Sequence, residues 1–418
     1  TMKYNPKINE EVARIPSLSQ THPLWPEKFL QPALSVQFQL QELLTTLTGL
    51  EAFTIQPNAG AHGEFVGLKV MKAYHTAKEA AGGPKKTKVI IPDSAHGTNP
   101  ATCSMVGYEI VSLPTGPNGI VEVSAIEKLI GPDVAGIMMT NPNTLGLFEK
   151  NIHKIAELIH SVDGLFYMDG ANFNAIVGIT KPADLGVDIM HINLHKTFST
   201  PHGGGGPGSG PVGVRSHLRK FLPRPLVIKN GKEFKLEFDL PESVGHVSGY
   251  YGNFSIHIRA LAYMLSLGMI PNGTETYAKK MSTAAVLNAN YIRARLRDYY
   301  KIPYDGLCMH EVVLSDEIQE QFGIKTLNIA KRLMDYGYHP MTVYFPLIVH
   351  GAMMIEPTES ETKETLDRFC DVMIEIAKEC QKNPEAVLSA PTRVNRNKID
   401  ELRAQKQPRL RWTPSVVA

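Results

Sequence analysis

The chain has 418 residues, 43% hydrophobic and 20% charged, the balance of an ordinary folded protein with enough core for two domains. Its 43 basic and 41 acidic residues leave a formal charge of +2, so no strong field draws it to nucleic acid or an anionic membrane. Cys103, Cys308, Cys370 and Cys380 form no Cys-x-x-Cys pair and predict neither zinc site nor disulfide framework, and no apolar run nears the roughly 18 residues that span a bilayer. A soluble, cytoplasmic protein is the expectation.

Residues 1–32, rich in proline and polar side chains, are expected to form an extended arm over another surface. Leu40, Leu43, Leu44 and Leu47 then fall at helical spacing. From about residue 53 strands alternate with helices. Strands are predicted at Phe53–Ile55, Val89–Ile91, Ile110–Leu113, Gly136–Met139 and Leu165–Met168; Ile152, Ile155, Ala156 and Ile159 form one helical face between the last two. Such alternation implies a mainly parallel sheet covered on both faces, whose ligands gather beyond the strand ends, where Asp93, Asn141 and Asp169 fall.

Met190, Ile192 and Leu194 alternate with His191, Asn193 and His195, which predicts a strand with one polar face leading to Lys196. A strand-like Pro211–Val214 follows a glycine run. The chain then turns helical from 254 to about 297. A smaller α/β unit follows, with strands at Glu311–Leu314, Thr342–Phe345 and Ala352–Ile355, helices near 323–337 and 360–381, and a basic, irregular tail from 390. The expected division is an arm and helix (1–52), a large domain (53–297) and a small C-terminal domain (298–418).

Four short motifs carry chemistry. In Asn58-Ala59-Gly60-Ala61-His62-Gly63-Glu64, small residues at a helix start let backbone N–H groups approach a phosphate, although the same pattern makes a plain tight turn. No Gly-Lys-Ser/Thr follows, so a Walker loop is excluded, and Gly203, Gly205 and Gly208 match Gly-x-Gly-x-x-Gly without the strand-then-helix context of dinucleotide binding. His96, in Ser94-Ala95-His96-Gly97-Thr98-Asn99-Pro100, could stack on a flat ring or be a satisfied loop histidine. Asp169-Gly170-Ala171-Asn172 offers a carboxylate for a pyridinium, though an acid at a strand end also caps helices.

Lys196 stands before the glycine run, placed as a Schiff-base lysine needs to be, and as a surface turn also could be. His191 and His195 are four apart on a strand-like segment and do not match zincin geometry, so no metal is expected. His96, Asp169 and Lys196 succeed one another at 73 and 27 residues, in the order a pyridoxal phosphate site on an open sheet requires.

These residues resemble the pyridoxal phosphate enzymes of the aspartate aminotransferase type (fold type I). The four motifs together, over nearly the whole chain, look like glycine dehydrogenase (decarboxylating), the P-protein of the glycine cleavage system. The chain is about half a single-chain P-protein and carries the lysine-bearing half, so it is similar to subunit 2 of the two-subunit form. Thr1 to Lys7 resembles a motif interior, which implies a preceding segment.

The resemblance implies pyridoxal 5′-phosphate bound as a covalent aldimine at Lys196, with Asp169 at the pyridine nitrogen and His96 stacked on the ring. It also implies Ala171 beside the ring, Asn172 and Thr144 reaching its phenolic oxygen, and Gly60, Ala61, His62, Asn193 and His195 around the phosphate. Implied partners are glycine, a subunit 1 in a heterotetramer, and the lipoylated H-protein that accepts the aminomethyl group. The residues also fit another enzyme of this fold, such as an aminotransferase with Arg393 or Arg396 on the substrate carboxylate, a cysteine desulfurase or an amino-acid decarboxylase. A noncatalytic scaffold of the same fold is the remaining alternative.

Overall fold

The computed structural model describes residues 1–202, 207–270, 276–304, 306–395 and 399–412. The glycines 203–206 and Arg396 lie outside the described residues. The arm is not extended: it folds into α1 (Lys7–Ala13) and α2 (Pro16–Ser19), and α3 (Glu27–Thr48) begins inside the stretch expected to be irregular. Pro26 stands at the N-cap of α3, where its missing N–H costs nothing, and Leu30 and Leu34 are buried below it. The arm packs on its own chain. Asn9 Nδ2 donates to the Ser199 carbonyl at 3.2 Å, and Arg259 makes a two-pronged ion pair with Glu10.

The large sheet has seven strands: β1 (Ala52–Thr54), β2 (Lys88–Pro92), β3 (Glu109–Leu113), β4 (Val134–Thr140), β5 (Leu165–Gly170), β6 (Ile189–Ile192) and β7 (Val212–Val214). Their order is β1-β7-β6-β5-β4-β2-β3, parallel from β6 to β3, with β7 antiparallel to both neighbours. Between them come α4 (Gly60–Ala80), α5 (Thr98–Val106), α6 (Val123–Glu127), α7 (Ile152–Ser161) and the one-turn α8 (Leu194–Thr197). Every second strand residue enters the same core. Ile90, Ile137, Met139, Phe166, Met168, Met190 and Ile192 pack toward α3 and α7, while Val89, Ile91, Met138, Leu165, Tyr167 and Ile189 pack toward α4 and α5.

The strand expected through Leu194 stops at Ile192, because the Lys196 N–H turns back to the Asn193 carbonyl at 3.0 Å. A hairpin, β8 (Leu226–Asn230) and β9 (Glu233–Glu237), was not anticipated; it lies against α3, with Gln31 Nε2 donating to the Phe234 carbonyl at 2.8 Å. The expected 254–297 helix is two, α9 (Phe254–Ser266) and α10 (Thr276–Leu296). Beyond them α11 (Glu317–Glu320), α12 (Thr326–Asp335) and α13 (Lys363–Lys382) accompany an antiparallel sheet of β10 (Val312–Ser315), β12 (Ala352–Ile355) and β11 (Thr342–Val343), which has its own core. No helix among the described residues is long and apolar enough to cross a membrane.

Candidate active site

Strand parity places Tyr167 and Asp169 of β5 and His191 of β6 on the face covered by α4, where the apolar lining gives way to polar side chains at the carboxyl ends of the strands. Asp169 and His191 are register partners, with His191 Nε2 3.3 Å from Asp169 Oδ1 and His191 Nδ1 2.8 Å from the Tyr167 hydroxyl. The Ala171 N–H donates to Asp169 Oδ1 and Asn99 Nδ2 to Oδ2, each at 2.9 Å. Asp169 is 3% exposed. Burial works to raise its pKa, but His191, Asn99, the Ala171 amide and Lys196 outweigh it and hold the carboxyl below its ordinary value. A buried acid kept ionised in this way suits a protonated pyridine nitrogen.

Lys196 is the third residue of α8, immediately beyond β6. Its charge acts on Asp169 and His195 and also on Glu311. Gly60 opens α4, and a Cβ there would stand 2.4 Å from Asn193 Oδ1, so only glycine admits the Asn193 amide over this first turn. The N–H groups of Gly60, Ala61 and His62 are those a helix leaves without an internal partner, and the dipole of this 21-residue helix favours an anion there. The buried Asn193 amide lies over this turn with no partner on Oδ1, and its Nδ2 is the atom able to donate to an anion there. Helix-start amides, an unsatisfied Asn193, an ionised Asp169 and the Lys196 amine fit pyridoxal phosphate.

Other expected residues stand differently. His96 is exposed, its ring 5.3 Å from that of Phe345 and its Nδ1 2.8 Å from Thr98 Oγ1, which leaves a face available for stacking. His195 sits edge-on to His202 at 5.1 Å and accepts from the Ser209 N–H; burial, then His202 and Lys196, lower its pKa to about 4 and keep it neutral. His62 Nδ1 accepts from the Asn58 N–H at 3.1 Å, so its imidazole closes the loop and only its backbone is left to face an anion.

Thr144 donates its hydroxyl to the Ser94 carbonyl, and Asn172 donates to Glu356 Oε2 at 2.9 Å and to Thr1 Oγ1 at 2.7 Å. Asp93, expected near the site, accepts from the Thr115 backbone and hydroxyl instead. Arg393 is exposed, its guanidinium over the Tyr336 ring and its N–H on Asp335.

The sequence reading gave no role to Glu64, Asn99 or Tyr167, and it missed a cluster contributed by the second sheet. His310, Glu311 and Glu356 bring a nitrogen and two carboxylate oxygens within 4.8 Å of one another. Burial, and next the Glu356 charge, push Glu311 up to about 8, so it holds a proton at neutral pH. Acids that flank the apolar runs Val312–Leu314 and Met353–Ile355 were the available signal.

The family model for the glycine dehydrogenase C-terminal domain matches residues 281–398, and that for class-V aminotransferases matches 72–224. The chain is 51% identical over 414 residues to a probable glycine dehydrogenase (decarboxylating) subunit 2 of Exiguobacterium sibiricum, covering 99% of this chain and 82% of the relative. It is 52% identical to one of Halalkalibacterium halodurans, covering 99% and 83%. A solved glycine decarboxylase (P-protein) of the glycine cleavage system, in inhibitor-bound form, superposes with a TM-score of 0.73 at 18% identity over 90% of this chain and 83% of that one. A cysteine desulfurase from Thermococcus onnurineus NA1 superposes at 0.68 and 13% identity, over 90% and 93%. The fold is that of the pyridoxal phosphate enzymes of the aspartate aminotransferase type, and the chain belongs to the glycine dehydrogenase (decarboxylating) subunit 2 family.

Proposed function

We propose that this chain binds pyridoxal 5′-phosphate through Lys196, decarboxylates glycine and passes the aminomethyl group to the lipoyl arm of an H-protein, in company with a subunit 1. The observation that carries the reading is the Asp169 carboxylate, buried yet held ionised, on the strand next to the one that leads into Lys196. Pyridoxal phosphate, when bound, supplies an electron sink for the carbanion left by loss of carbon dioxide. Asp169 keeps a proton on the pyridine nitrogen by charge pairing. The α4 amides and the Asn193 Nδ2 donate to the phosphate, and His96 covers one ring face.

Glu311, protonated at neutral pH, can hand a proton to a nearby acceptor, and Glu356 and His310 lie within reach to share it. The arm-and-helix, large and small units (1–52, 53–297, 298–418) belong to the same reading; the small sheet has its own core, which also takes in Ala289, Ile292 and Leu296 of α10, while α3 shares the core of the large sheet. The desulfurase alternative would call for an accessible thiol. Cys103, Cys308, Cys370 and Cys380 are all buried, and burial raises each of their pKa values to about 11 or 12.

The test combines trapping and exchange. Borohydride reduction of the loaded protein should fix the cofactor on Lys196 in the mapped peptide. Exchange of labelled bicarbonate into glycine should rise strongly when subunit 1 and lipoylated H-protein are added together. Label on another lysine, or full exchange by this chain with H-protein alone, contradicts the reading.

A further inference from the structure

We infer that Glu64 is a positioning residue for the reaction: one buried carboxylate that fixes the His96 ring through Thr98 and the Asp169 carboxylate through Asn99. The inference rests on the reading of His96 and Asp169 as the groups that hold the cofactor ring. Glu64 lies one turn into α4, 4% exposed, on the helix whose first amides are proposed to hold the phosphate. It accepts from Thr98 Oγ1 at 2.8 Å on Oε1 and from Asn99 Nδ2 at 3.0 Å on Oε2.

Each arm uses its donor fully. The Asn99 amide has two N–H groups; one goes to Glu64 Oε2 and the other, at 2.9 Å, to Asp169 Oδ2. Asn99 is wholly buried, and its Oδ1 has no partner, so the amide is held by these two carboxylates. The Thr98 hydroxyl has one proton, and the carboxylate takes it. His96 Nδ1 is held at residue 98 by two contacts, 2.8 Å to the hydroxyl and 3.2 Å to the backbone N–H, which fix the position of the ring.

The contacts therefore run from His96 through Thr98, Glu64 and Asn99 to Asp169, and on through His191 to Tyr167. Phosphate helix, ring-stacking loop and pyridine-facing strand are tied at a single side chain. Glutamine at position 64 can keep only part of this: with its oxygen toward Thr98, its amide meets the Asn99 amide donor to donor, and the reverse orientation breaks the Thr98 arm.

The experiment loads wild type, Glu64→Gln and Asn99→Ala with pyridoxal phosphate, and titrates the visible band of each against pH. Glycine–bicarbonate exchange is then measured with subunit 1 and H-protein. Glu64→Gln removes a buried negative charge near the ring, so the midpoint of the band should fall by about half a pH unit or more. Exchange kcat should fall at least about tenfold, the factor one charge-assisted hydrogen bond carries, with KM for glycine changed less than about twofold. Asn99→Ala cuts the Asp169 arm from the other end and should give the same kcat loss, so poor folding of Glu64→Gln leaves the test standing. Thr98→Val should weaken cofactor retention, and Thr98→Ser should rescue it. A band present in Glu64→Gln with the wild-type midpoint, or wild-type kcat in Asn99→Ala, overturns the inference. A wild-type protein with no band overturns the cofactor reading beneath it instead.

Discussion

Lys3 is the most consequential charge outside the site. It is 1% exposed and donates to Asn174 Oδ1 at 2.6 Å, to the Thr197 carbonyl at 2.8 Å and to Glu359 Oε1 at 2.8 Å. Burial pulls its pKa down, against the Glu359 charge. Lys3→Met keeps the apolar stem and removes the ammonium, stranding Glu359, which is 13% exposed. Breaking a buried pair from one side costs ~3–5 kcal/mol. Glu359 retains the Tyr263 hydroxyl at 3.0 Å and the Asn174 amide at 3.3 Å, which places the expected loss at the lower end, about 3 kcal/mol.

Lys3→Met with Glu359→Gln should recover about half of that, because no charge is then left unpaired. Denaturant midpoints of the four proteins in the cycle measure the coupling. Since the Thr197 carbonyl is adjacent to Lys196, the single variant should also release cofactor faster. Strict additivity, or a loss under about 0.5 kcal/mol for Lys3→Met, would refute a buried, coupled pair.

Asp169→Asn should still load cofactor, since the helix-start amides are untouched, yet lose at least about 100-fold in exchange rate; near wild-type turnover would show the acid to be structural. Glu311 is raised to about 8 from an unfolded value of about 4.3, so the folded protein holds a proton that the unfolded chain releases. That contribution is complete below about pH 4.3 and is lost as pH rises through about 8, so the stability of Glu311→Gln relative to wild type should grow from about pH 5 to about pH 8; a constant difference between their denaturation midpoints would contradict it. Gly67→Ala places a Cβ 2.4 Å from Tyr167 Cε2, and overpacking there should cost ~1–3 kcal/mol in chemical denaturation, with an unchanged midpoint ruling out the close approach.

Elements whose signal is local were legible. Strands β2 to β6 follow from apolar runs that keep one period, and Lys196 and Asp169 from residue types at strand ends. The prolines at 23 and 26 obscured the start of α3, because burial of Leu30 and Leu34 outweighs local composition. The β8–β9 hairpin had a readable cue in Asn230-Gly231, with φ +63° at the glycine, between the apolar run Leu226–Ile228 and the alternating Glu233–Glu237. Glu64 to Asn99 and Asn99 to Asp169 are contacts across 35 and 70 residues, made only when α4, α5 and β5 converge, so no spacing rule announces them. Thr144 and Asn172 came from the resemblance alone, and their hydrogen-bond partners, Ser94 and Glu356, are set by packing that no local signal announces.

The alternation along β5 has a consequence for how the gene can vary. Met168 and Asp169 are neighbours in the chain on opposite faces, one filling the core over α3 and α7 and the other forming the polar end of the α4 face. Deleting or inserting one codon within this strand would exchange those positions, sending a carboxylate into hydrocarbon and a thioether to the cofactor. Lineages are therefore free to change length at exposed turns such as 81–85 between α4 and β2, while the reading parity of the strand stays locked, so alignments across distant members should break at such turns and never inside β5 or β6.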